Sequence, residues 1–276
     1  MKFSIITPSY NMLPYLKLCH SSIMDQNHSN YEHIIIDGNS TDGTKNWLNE
    51  KKLKHKCETD AGMYDAINKG MAMATGEIIS YLNCDEQYLP RTLVTVENYF
   101  IDNPDVDIVF GHALITNPDG SLISYRKGYQ PRKYYIMVSH LYVLSCTMFF
   151  RRSIMDQGYL FNTNYKDIGD MYFVLTLLQN GFKAKYIDQY LSIFTWTGNN
   201  MSTSQNAIYE MQKIKNIFPK WVKLCKIPIN FLRLIEKLLS GAYLTEKPLE
   251  YEIYTQDSKD DRVSFSCSKS DFVWPK

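Results

Sequence analysis

The residues best suited to chemistry follow a short apolar run, IISYL, at 78–82. Asp85 and Glu86 stand side by side after it, shortly before Pro90. Carboxylates are hard oxygen ligands that suit Mg2+ or Mn2+, and such a cation is commonly shared with substrate phosphates. Adjacent residues of a strand point to opposite faces, so both carboxylates reach one ion only if the chain turns there. A solvated acidic loop is the alternative interpretation.

Two other polar segments follow apolar strands of the same kind. The run FSIIT at 3–7 leads into Tyr10, and EHIIID at 32–37 ends in Asp37 before the turn GNSTDG. In open α/β sheets, ligands collect at the carboxyl ends of the strands. We therefore expect these segments to meet at one sheet edge, although Tyr10 alone can be a turn residue and Asp37 alone a helix cap.

Apolar residues at helical spacing separate these strands. Helices are predicted after the first strand, over 44–52 and over 63–74, and the strand EIISYL at 77–82 follows the third helix. Strands that alternate with helices predict an α/β fold with a mainly parallel sheet covered on both faces. After residue 110 the pattern becomes hairpin-like, and a further helix is predicted over 169–180.

The composition excludes several classes of protein. The 276 residues, 45% of them hydrophobic, suffice for one large domain or one domain with an appendage. A net charge of +1 provides no long-range field for nucleic acid. The six cysteines form no Cys-x-x-Cys pair, so we expect reduced thiols in a cytoplasmic protein. No stretch is apolar enough to cross a membrane.

The carboxyl-terminal quarter has a different texture. Over 208–240, apolar residues at helical spacing stand beside lysines 213, 215, 220, 223 and 226. A basic amphipathic face of this kind lies on an anionic membrane surface. A helical appendage that packs on the catalytic domain, or on a second subunit in a homodimer, is the alternative. The last 25 or so residues are polar and weakly patterned, which predicts a loosely packed tail.

Four segments, in this order, resemble family 2 glycosyltransferases of the GT-A fold. They are SIITPSYN, IIIDGNSTDGT, ETDAGMYDAINKGMAMATGEIISYLNCDEQYLP and YKDIGDMYFVLTLLQNGFK. The likeness covers residues 1 to about 203 and is greatest to bacterial enzymes that build exopolysaccharide, capsule or O-antigen repeats. It implies a GT-A domain, a Rossmann-like α/β/α sandwich, over 1–205, with a donor half (1–100) and an acceptor half (101–205). A carboxyl-terminal helical segment and tail occupy 206–276.

The resemblance also implies roles for individual residues. Asp170 matches the catalytic base, and Asp85 and Glu86 occupy the Asp-x-Asp-type position that holds Mn2+ or Mg2+ on the donor diphosphate. Many relatives have aspartate where this chain has Glu86, which is one methylene longer. The expected donor contacts are Thr7, Pro8, Tyr10, Asp37, Asp60, Asn68, Lys69 and Asp85. Asp167, just upstream of Asp170, is the alternative base.

The implied function is inverting transfer of a sugar from a nucleotide-diphosphate sugar, expected to be UDP-linked, in bacterial surface polysaccharide synthesis. The acceptor is expected to be a hydroxyl of a saccharide or lipid-linked saccharide, and the enzyme a metal-dependent hexosyltransferase. A cytoplasmic location is expected, and a peripheral position at the cytoplasmic face of the inner membrane is the option that a membrane-binding segment 208–240 would add. Two alternatives stay open. One is a nucleotide-sugar-binding protein of the same fold without turnover. The other is a nucleotidyltransferase, which would need a glycine-rich basic loop where this chain has TPSYN.

Overall fold

The computed structural model describes residues 1–198, 204–244, 247–258 and 260–274. The strands are β1 (Phe3–Ser9), β2 (Tyr31–Asp37), β3 (Lys54–Cys57), β4 (Ile78–Tyr81), β5 (Glu86–Tyr88), β6 (Ile108–Thr116), β7 (Leu122–Arg126), β8 (Phe149–Arg151), β9 (Ala184–Thr195), β10 (Leu249–Ile253) and β11 (Val263–Cys267). The helices are α1 (Leu13–Met24), α2 (Thr44–Glu50), α3 (Met63–Met73), α4 (Thr92–Asp102), α5 (Lys133–Val138), α6 (Ser153–Asp156), α7 (Gly169–Gln179), α8 (Gln205–Ile217), α9 (Lys220–Leu224) and α10 (Lys226–Leu239).

The amino-terminal half contributes a parallel sheet in the order β3, β2, β1, β4. All seven residues of β1 are buried, because this strand lies between two others and is covered on both faces. The near-continuous apolar run FSIITPS is the sequence signature of that position. The predicted α/β fold is thereby confirmed.

The sheet continues beyond β4 in the order β8, β6, β9, β5, and β7 also pairs with β6. Here the ladder is mixed: β6 and β9 are parallel, whereas β8 is antiparallel to both β4 and β6. The pairs β5 with β9 and β6 with β7 are antiparallel as well. The mainly parallel arrangement expected from the sequence therefore applies to the first four strands, and the second half departs from it.

Helix α3 packs unusually close to the central strand. A Cβ atom at Gly70 would lie 2.4 Å from Cγ2 of Ile6, so only glycine allows this approach. The close packing fixes the start of α3, where Tyr64 is buried, at the carboxyl end of β1. The main hydrophobic core continues from this contact across the sheet to α7.

The carboxyl-terminal segment shares the main core and is not separate from it. Ala207, Ile214, Phe218 and Val222 of the helices α8 and α9 and the residues after α8 are buried in the same cluster as strand residues such as Ile6. The division of domains near residue 205 stays a prediction. Among the described residues, no helix has both the length and the apolar character needed to cross a bilayer.

The prediction of a loosely packed tail is wrong for the strands β10 and β11, whereas residues 268–274 are mostly exposed and lie outside any helix or strand. The strands β10 and β11 form an antiparallel hairpin. Leu249, Tyr251 and Ile253 are buried, and their cluster also contains Leu114 and Ile193 of the large sheet. The alternation in LEYEI, apolar on one face only, is the period-two signal of a half-buried strand. That short signal was obscured by the polar residues around it.

Candidate functional site

A cavity of about 1330 Å³ opens where β1 and β4 end. Loops from several elements meet in it, as the convergence of strand ends requires. Of the residues expected in the site, those that line the cavity are Pro8, Tyr10, Asp60, Asp85, Asp167 and Asp170. The fold therefore brings residues that are far apart in sequence to the wall of one cavity.

Asp170 lies in the first turn of α7 and faces the cavity. Its Oδ1 accepts hydrogen bonds from the hydroxyl of Tyr64 at 3.3 Å and from the backbone N–H of Met171 at 2.7 Å. Burial raises the pKa of Asp170, and these hydrogen bonds oppose the increase because they favour the charged form. A Cβ atom at Gly169 would lie 2.6 Å from the Tyr64 ring, so glycine is required for this approach.

Asp167 has a different environment from Asp170. Its Oδ2 accepts hydrogen bonds from the Ser204 hydroxyl and, at 2.9 Å, from Nδ2 of Asn206. Ser204 in turn accepts from the backbone N–H of Ala207 and caps α8. Asp167 is thus engaged in joining its loop to α8.

Glu210 supports the site although no pattern in the sequence singled it out. It is buried, and its carboxylate accepts from the backbone N–H groups of Lys166 at 2.6 Å, Asp167 at 3.0 Å and Ile168 at 3.2 Å. These three residues form the loop that leads into α7 and Asp170. In sequence Glu210 is one charged residue of an amphipathic helix, and only the tertiary structure shows that it turns inward.

Asp85 and Glu86 separate at the start of β5. Asp85 lines the cavity, whereas Glu86 is 1% exposed and is not among the lining residues. One oxygen of Glu86, Oε2, accepts from the backbone N–H of Asn83 at 2.8 Å, and Oε1 is buried without a hydrogen-bond partner in the described part of the chain. Burial raises the pKa of Asp85, and burial followed by the Asp85 charge raises the pKa of Glu86.

Tyr10 and Asp60 form the rim of the cavity beside β1 and β2. Tyr10 is 64% exposed, which leaves an aromatic face free for a flat ligand. Asp60 accepts from the backbone N–H of Gly62 at 2.8 Å through Oδ1. A Cβ atom at Gly38 would lie 3.0 Å from Oδ2 of Asp60 and 3.2 Å from the Tyr10 ring, so these side chains meet over the end of β2.

Thr7 and Asp37 lie behind the cavity and do not line it. Thr7 is buried, and its hydroxyl is hydrogen-bonded to Nε2 of His33 at 2.8 Å. Asp37 is also buried and accepts from the backbone N–H and the hydroxyl of Ser40, at 2.9 and 2.5 Å. Both side chains therefore hold the strand ends and the turn after β2.

Asn68 and Lys69 also lie outside the cavity lining. Asn68 pairs with the backbone of Phe161 through two hydrogen bonds of 2.8 and 3.0 Å. Lys69 forms an ion pair with Asp65 at 3.1 Å and donates to the backbone oxygen of Thr59 at 3.2 Å. These contacts hold the loop before α3 against its neighbours and thereby position the rim.

Several cavity residues come from parts of the chain that sequence reasoning did not connect with the site. They are Arg126 of β7, Arg233 and Lys237 of α10, and Phe272 and Trp274 of the tail. Two aromatic residues in FVWPK, within an otherwise polar tail, were the available signal. No such signal marked Arg126, Arg233 and Lys237 in the sequence, because their proximity to the site depends on how α10 crosses the sheet.

The chain is similar to known glycosyltransferases. The family model described as Glycosyl transferase family 2 matches residues 4–159, more than half of the chain. A PGL/p-HBAD biosynthesis glycosyltransferase of Mycobacterium bovis (strain BCG / Pasteur 1173P2) is 25% identical over 252 residues, covering 87% of this chain and 93% of that protein. The putative teichuronic acid biosynthesis glycosyltransferase TuaG of Bacillus subtilis is 24% identical over 208 residues, covering 73% and 82%.

Solved structures show the same fold. S. aureus TarS 1–349 in complex with UDP-GlcNAc superposes with a TM-score of 0.61 at 19% identity, over 87% of this chain and 73% of that one. The mannosyltransferase PcManGT from Pyrobaculum calidifontis, in complex with GDP-Man and Mn2+, gives 0.55 at 16% identity, over 87% and 76%. With the family match, these similarities identify the chain as a member of glycosyl transferase family 2, a glycosyltransferase with the GT-A fold.

Proposed function

We propose that this glycosyltransferase moves a sugar from a nucleotide-diphosphate sugar to a hydroxyl of a saccharide acceptor, with inversion at the anomeric carbon. One observation carries the proposal: Asp85, after β4, and Asp170, at the start of α7, line the same cavity. The reaction needs stabilisation of a leaving diphosphate and a base for the attacking hydroxyl. The cavity offers a carboxylate suited to each task.

The donor and the pathway are supported by the relatives. TarS was solved with UDP-GlcNAc, and this similarity favours a UDP-linked hexose or N-acetylhexosamine. TuaG is named for teichuronic acid biosynthesis, and the S. aureus relative TarP is a poly(ribitol-phosphate) β-N-acetylglucosaminyltransferase. We infer that the product belongs to a bacterial surface polysaccharide.

Asp170 is the proposed base. Because Tyr64 and Met171 both bond to Oδ1, Oδ2 is left to face the acceptor hydroxyl. As the acceptor oxygen attacks the anomeric carbon, its proton passes to Asp170 and the bond from that carbon to the diphosphate breaks, the electron pair leaving with the phosphate oxygen. A carboxylate whose pKa is raised by burial is a stronger base than an exposed aspartate.

The donor base and ribose are assigned to the rim. The exposed ring of Tyr10 provides a stacking surface, and the Asp60 carboxylate, which lines the cavity, can accept a hydrogen bond from ribose or base. Pro8 closes this side of the cavity. Thr7, Asp37, Asn68 and Lys69 are proposed to act from behind, by holding the loops to which the rim belongs. All of these proposed donor contacts lie in the predicted donor half, 1–100, and the proposed base Asp170 lies in the predicted acceptor half, 101–205.

A divalent cation fits the acidic pair. The Oε1 atom of Glu86 lacks a hydrogen-bond partner in the described part of the chain, and burial together with the Asp85 charge favours a neutral or cation-bound form of Glu86. We propose that Asp85 holds Mn2+ or Mg2+ from the cavity side, with Glu86 behind it. When bound, the cation supplies Lewis-acid stabilisation of the leaving diphosphate. No cluster of three or more metal-binding side chains occurs among the described residues, so donor phosphates and water complete the proposed shell.

Asp85→Asn is expected to abolish stabilisation by metal and nucleotide together. For the unmodified protein, UDP with Mn2+ at 100 times the dissociation constant should raise the unfolding free energy by about 2.7 kcal/mol. In the variant this gain should largely disappear, because an amide is a poor ligand for a hard cation. Thermal unfolding with UDP alone, Mn2+ alone and both together measures it. An equal gain in the variant would contradict the assignment of Asp85.

The products formed from UDP-GlcNAc, and from UTP with a sugar phosphate, separate the two alternative functions from sugar transfer. A nucleotide-sugar-binding protein would bind UDP-GlcNAc without consuming it, and a nucleotidyltransferase would release pyrophosphate from UTP and a sugar phosphate. We expect the protein to release UDP slowly from UDP-GlcNAc in the presence of Mn2+, by transfer to water or to an added saccharide. Tight binding without any UDP release over a range of donors and acceptors would favour the binding protein.

Helix α10 is amphipathic, but its polar face is the one that meets the protein. Arg233 donates to Tyr129 at 2.9 Å, and Glu236 pairs with Arg132 at 2.8 Å. The outward face of α10, together with Leu224 at the end of α9, is apolar and well exposed: Ile227, Phe231, Leu232, Ile235, Leu238 and Leu239. An apolar helix face of this size is normally buried, so we infer that a membrane or a second protein surface covers it in the functional protein.

We propose that an anionic bilayer covers α10. Lys220, Lys223 and Lys226 are exposed at the amino-terminal side of the apolar face, and Glu236, the one acid between 211 and 239, is already paired with Arg132. Apolar side chains with flanking lysines match a lipid surface with negative headgroups. The six cysteines are free, which fits the cytoplasmic face of the membrane. A homodimer that joins two such faces is the competing arrangement.

Replacing Phe231 and Leu238 by Glu is expected to release the protein from anionic vesicles. Each large apolar side chain buried in the bilayer contributes about 1.5–3 kcal/mol to the binding free energy. The affinity of the double variant for vesicles should therefore fall at least tenfold. Ile101→Glu, an exposed site on α4 with 60% exposure, is the matched control and should have no effect. Co-sedimentation with phosphatidylglycerol vesicles gives the answer. If the unmodified protein ignores vesicles and sediments as a dimer that the double variant splits, the face joins two copies.

A further inference from the structure

Four basic residues line the cavity on the side of β7 and α10: Arg126, Lys127, Arg233 and Lys237. Arg126 ends β7, and Arg233 and Lys237 lie four residues apart on α10, so both project from one side of the helix. We call Arg126, Arg233 and Lys237 the cationic wall. The wall is formed by elements that contribute none of the site carboxylates.

The cations of the wall are surrounded by aromatic rings and not by acids. Arg126 lies over the Trp274 ring, 4.9 Å from its centre, and Lys237 lies over Tyr243 at 4.3 Å. The Nε atom of Arg126 is buried and has no hydrogen-bond partner within the described residues. Cation–π contacts hold such groups in place but do not neutralise them.

Arg233 is the most deeply buried member of the wall, at 9% exposure. Its Nη1 donates to the Tyr129 hydroxyl at 2.9 Å, and its Nε donates to Oδ1 of Asn230 at 2.9 Å. Tyr129 is itself stacked on Tyr142, with ring centres 4.1 Å apart. Neutral groups therefore orient this guanidinium. Across the described ranges, none of the three wall residues forms an ion pair with a carboxylate.

The positive charges of the cationic wall act on one another and on a neighbouring histidine. Burial, followed by the charges of Arg126 and Arg233, lowers the pKa of Lys237. Burial and then all three wall cations lower the pKa of His140, which also lines the cavity, to about 4. Like charges that are partly removed from water destabilise each other unless an anion joins them. The arrangement thus has the properties of an anion site.

We propose that the cationic wall binds a phosphate or diphosphate group of the acceptor. The acceptor would then be a phosphate-bearing saccharide and not a neutral one. This rests on the proposed function, because it supposes that the donor diphosphate lies at Asp85. Planar guanidinium groups and an ammonium group match phosphate oxygens in charge and in hydrogen-bond geometry.

Helix α10 connects this site with the surface described above. Its polar face carries Arg233 and Lys237 into the cavity, and its opposite face exposes Ile227, Phe231 and Leu238. A phosphate attached to a lipid would lie at the bilayer surface, and only the thickness of one helix, about 10 Å, would separate that surface from the cavity. A phosphate carried by a soluble polymer has the same chemistry at the wall but does not need the apolar face.

The test is calorimetric titration of inorganic pyrophosphate into protein already saturated with UDP and Mg2+, so that the donor site is filled. We expect pyrophosphate to bind, and Arg126→Gln and Lys237→Gln each to weaken it by about tenfold, because each removes one charge-assisted contact. Lys51→Gln, an exposed lysine directly after α2 and outside the cavity lining, is the matched control and should bind like the unmodified protein.

Two results would overturn the inference. One is the absence of pyrophosphate binding once UDP is present, which would assign the wall to the donor diphosphate. The other is unchanged binding by both variants while their thermal unfolding matches the unmodified protein. Failure of UDP itself to bind would instead strike the proposed function, so the two failures are distinguishable.

A second arm identifies the source of the phosphate. An isoprenyl diphosphate in phosphatidylcholine vesicles is compared with pyrophosphate in solution. If the lipid form binds at least tenfold more tightly, and the advantage disappears in the Phe231→Glu, Leu238→Glu variant, the phosphate belongs to a lipid carrier. Equal affinities indicate a soluble phosphate-bearing acceptor. Binding of neither form overturns the site.

Discussion

Asp170→Asn is expected to reduce kcat by about 100- to 10,000-fold, the usual contribution of a positioned base. The amide cannot take the acceptor proton, but its oxygen can still accept from Tyr64 and from the backbone of Met171. The fold and the donor KM should therefore be nearly unchanged. Steady-state release of UDP measures kcat, and calorimetric binding of UDP tests the donor site in the same preparation.

Asp167→Asn is the matched comparison. Ser204 and Asn206 both donate to a single oxygen of Asp167, and the oxygen of an asparagine can accept both hydrogen bonds. We expect kcat of Asp167→Asn to fall by less than about tenfold, which corresponds to one weakened hydrogen bond of about 1 kcal/mol. A larger loss in Asp167→Asn than in Asp170→Asn would reverse the assignment of the base.

The pH dependence of kcat carries independent information on Asp170. The base acts when deprotonated, and burial raises its pKa, so activity should decline on the acidic side at a higher pH than for an exposed aspartate. The hydrogen bond from Tyr64 favours the charged form and lowers this pKa. Tyr64→Phe should therefore move the acidic limb to still higher pH, with little change of kcat on the alkaline plateau. An unmoved limb would show that Asp170 does not control it.

Glu210→Ala is expected to have the largest effect on stability, with a decrease of about 3–5 kcal/mol in the unfolding free energy. The buried carboxylate accepts from the backbone N–H groups of Lys166, Asp167 and Ile168, and alanine leaves all three without that partner. The loop before α7 should then loosen and displace Asp170. Urea unfolding measures the first effect, and kcat at a temperature well below unfolding measures the second.

Two further variants serve as comparisons for Glu210→Ala. Glu210→Gln keeps one carbonyl oxygen in place and should recover part of the stability and most of the loop geometry. Glu50→Ala removes an exposed glutamate at the end of α2 and should leave both quantities close to those of the unmodified protein. If Glu210→Ala unfolds like Glu50→Ala, the three hydrogen bonds contribute little.

The sequence by itself determined the amino-terminal half of the fold. The fully buried strand β1 leaves a near-continuous apolar run, and the half-buried helices α1 and α3 leave apolar residues that repeat about every 3.6 positions. It also determined which residue types stand at the strand ends, and with the family pattern it singled out Asp85 and Asp170.

The tertiary structure alone decided which of those residues face the cavity and what supports them. It turned Asp85 outward and Glu86 inward, and placed Thr7 in the core. It brought Glu210 and the cationic wall to the site across long separations in sequence. These choices depend on how α8, α10 and the tail pack on the sheet, and packing between distant segments leaves no period in the sequence. The direction of α10, with its apolar face outward, is likewise fixed by where Arg233 and Glu236 find partners.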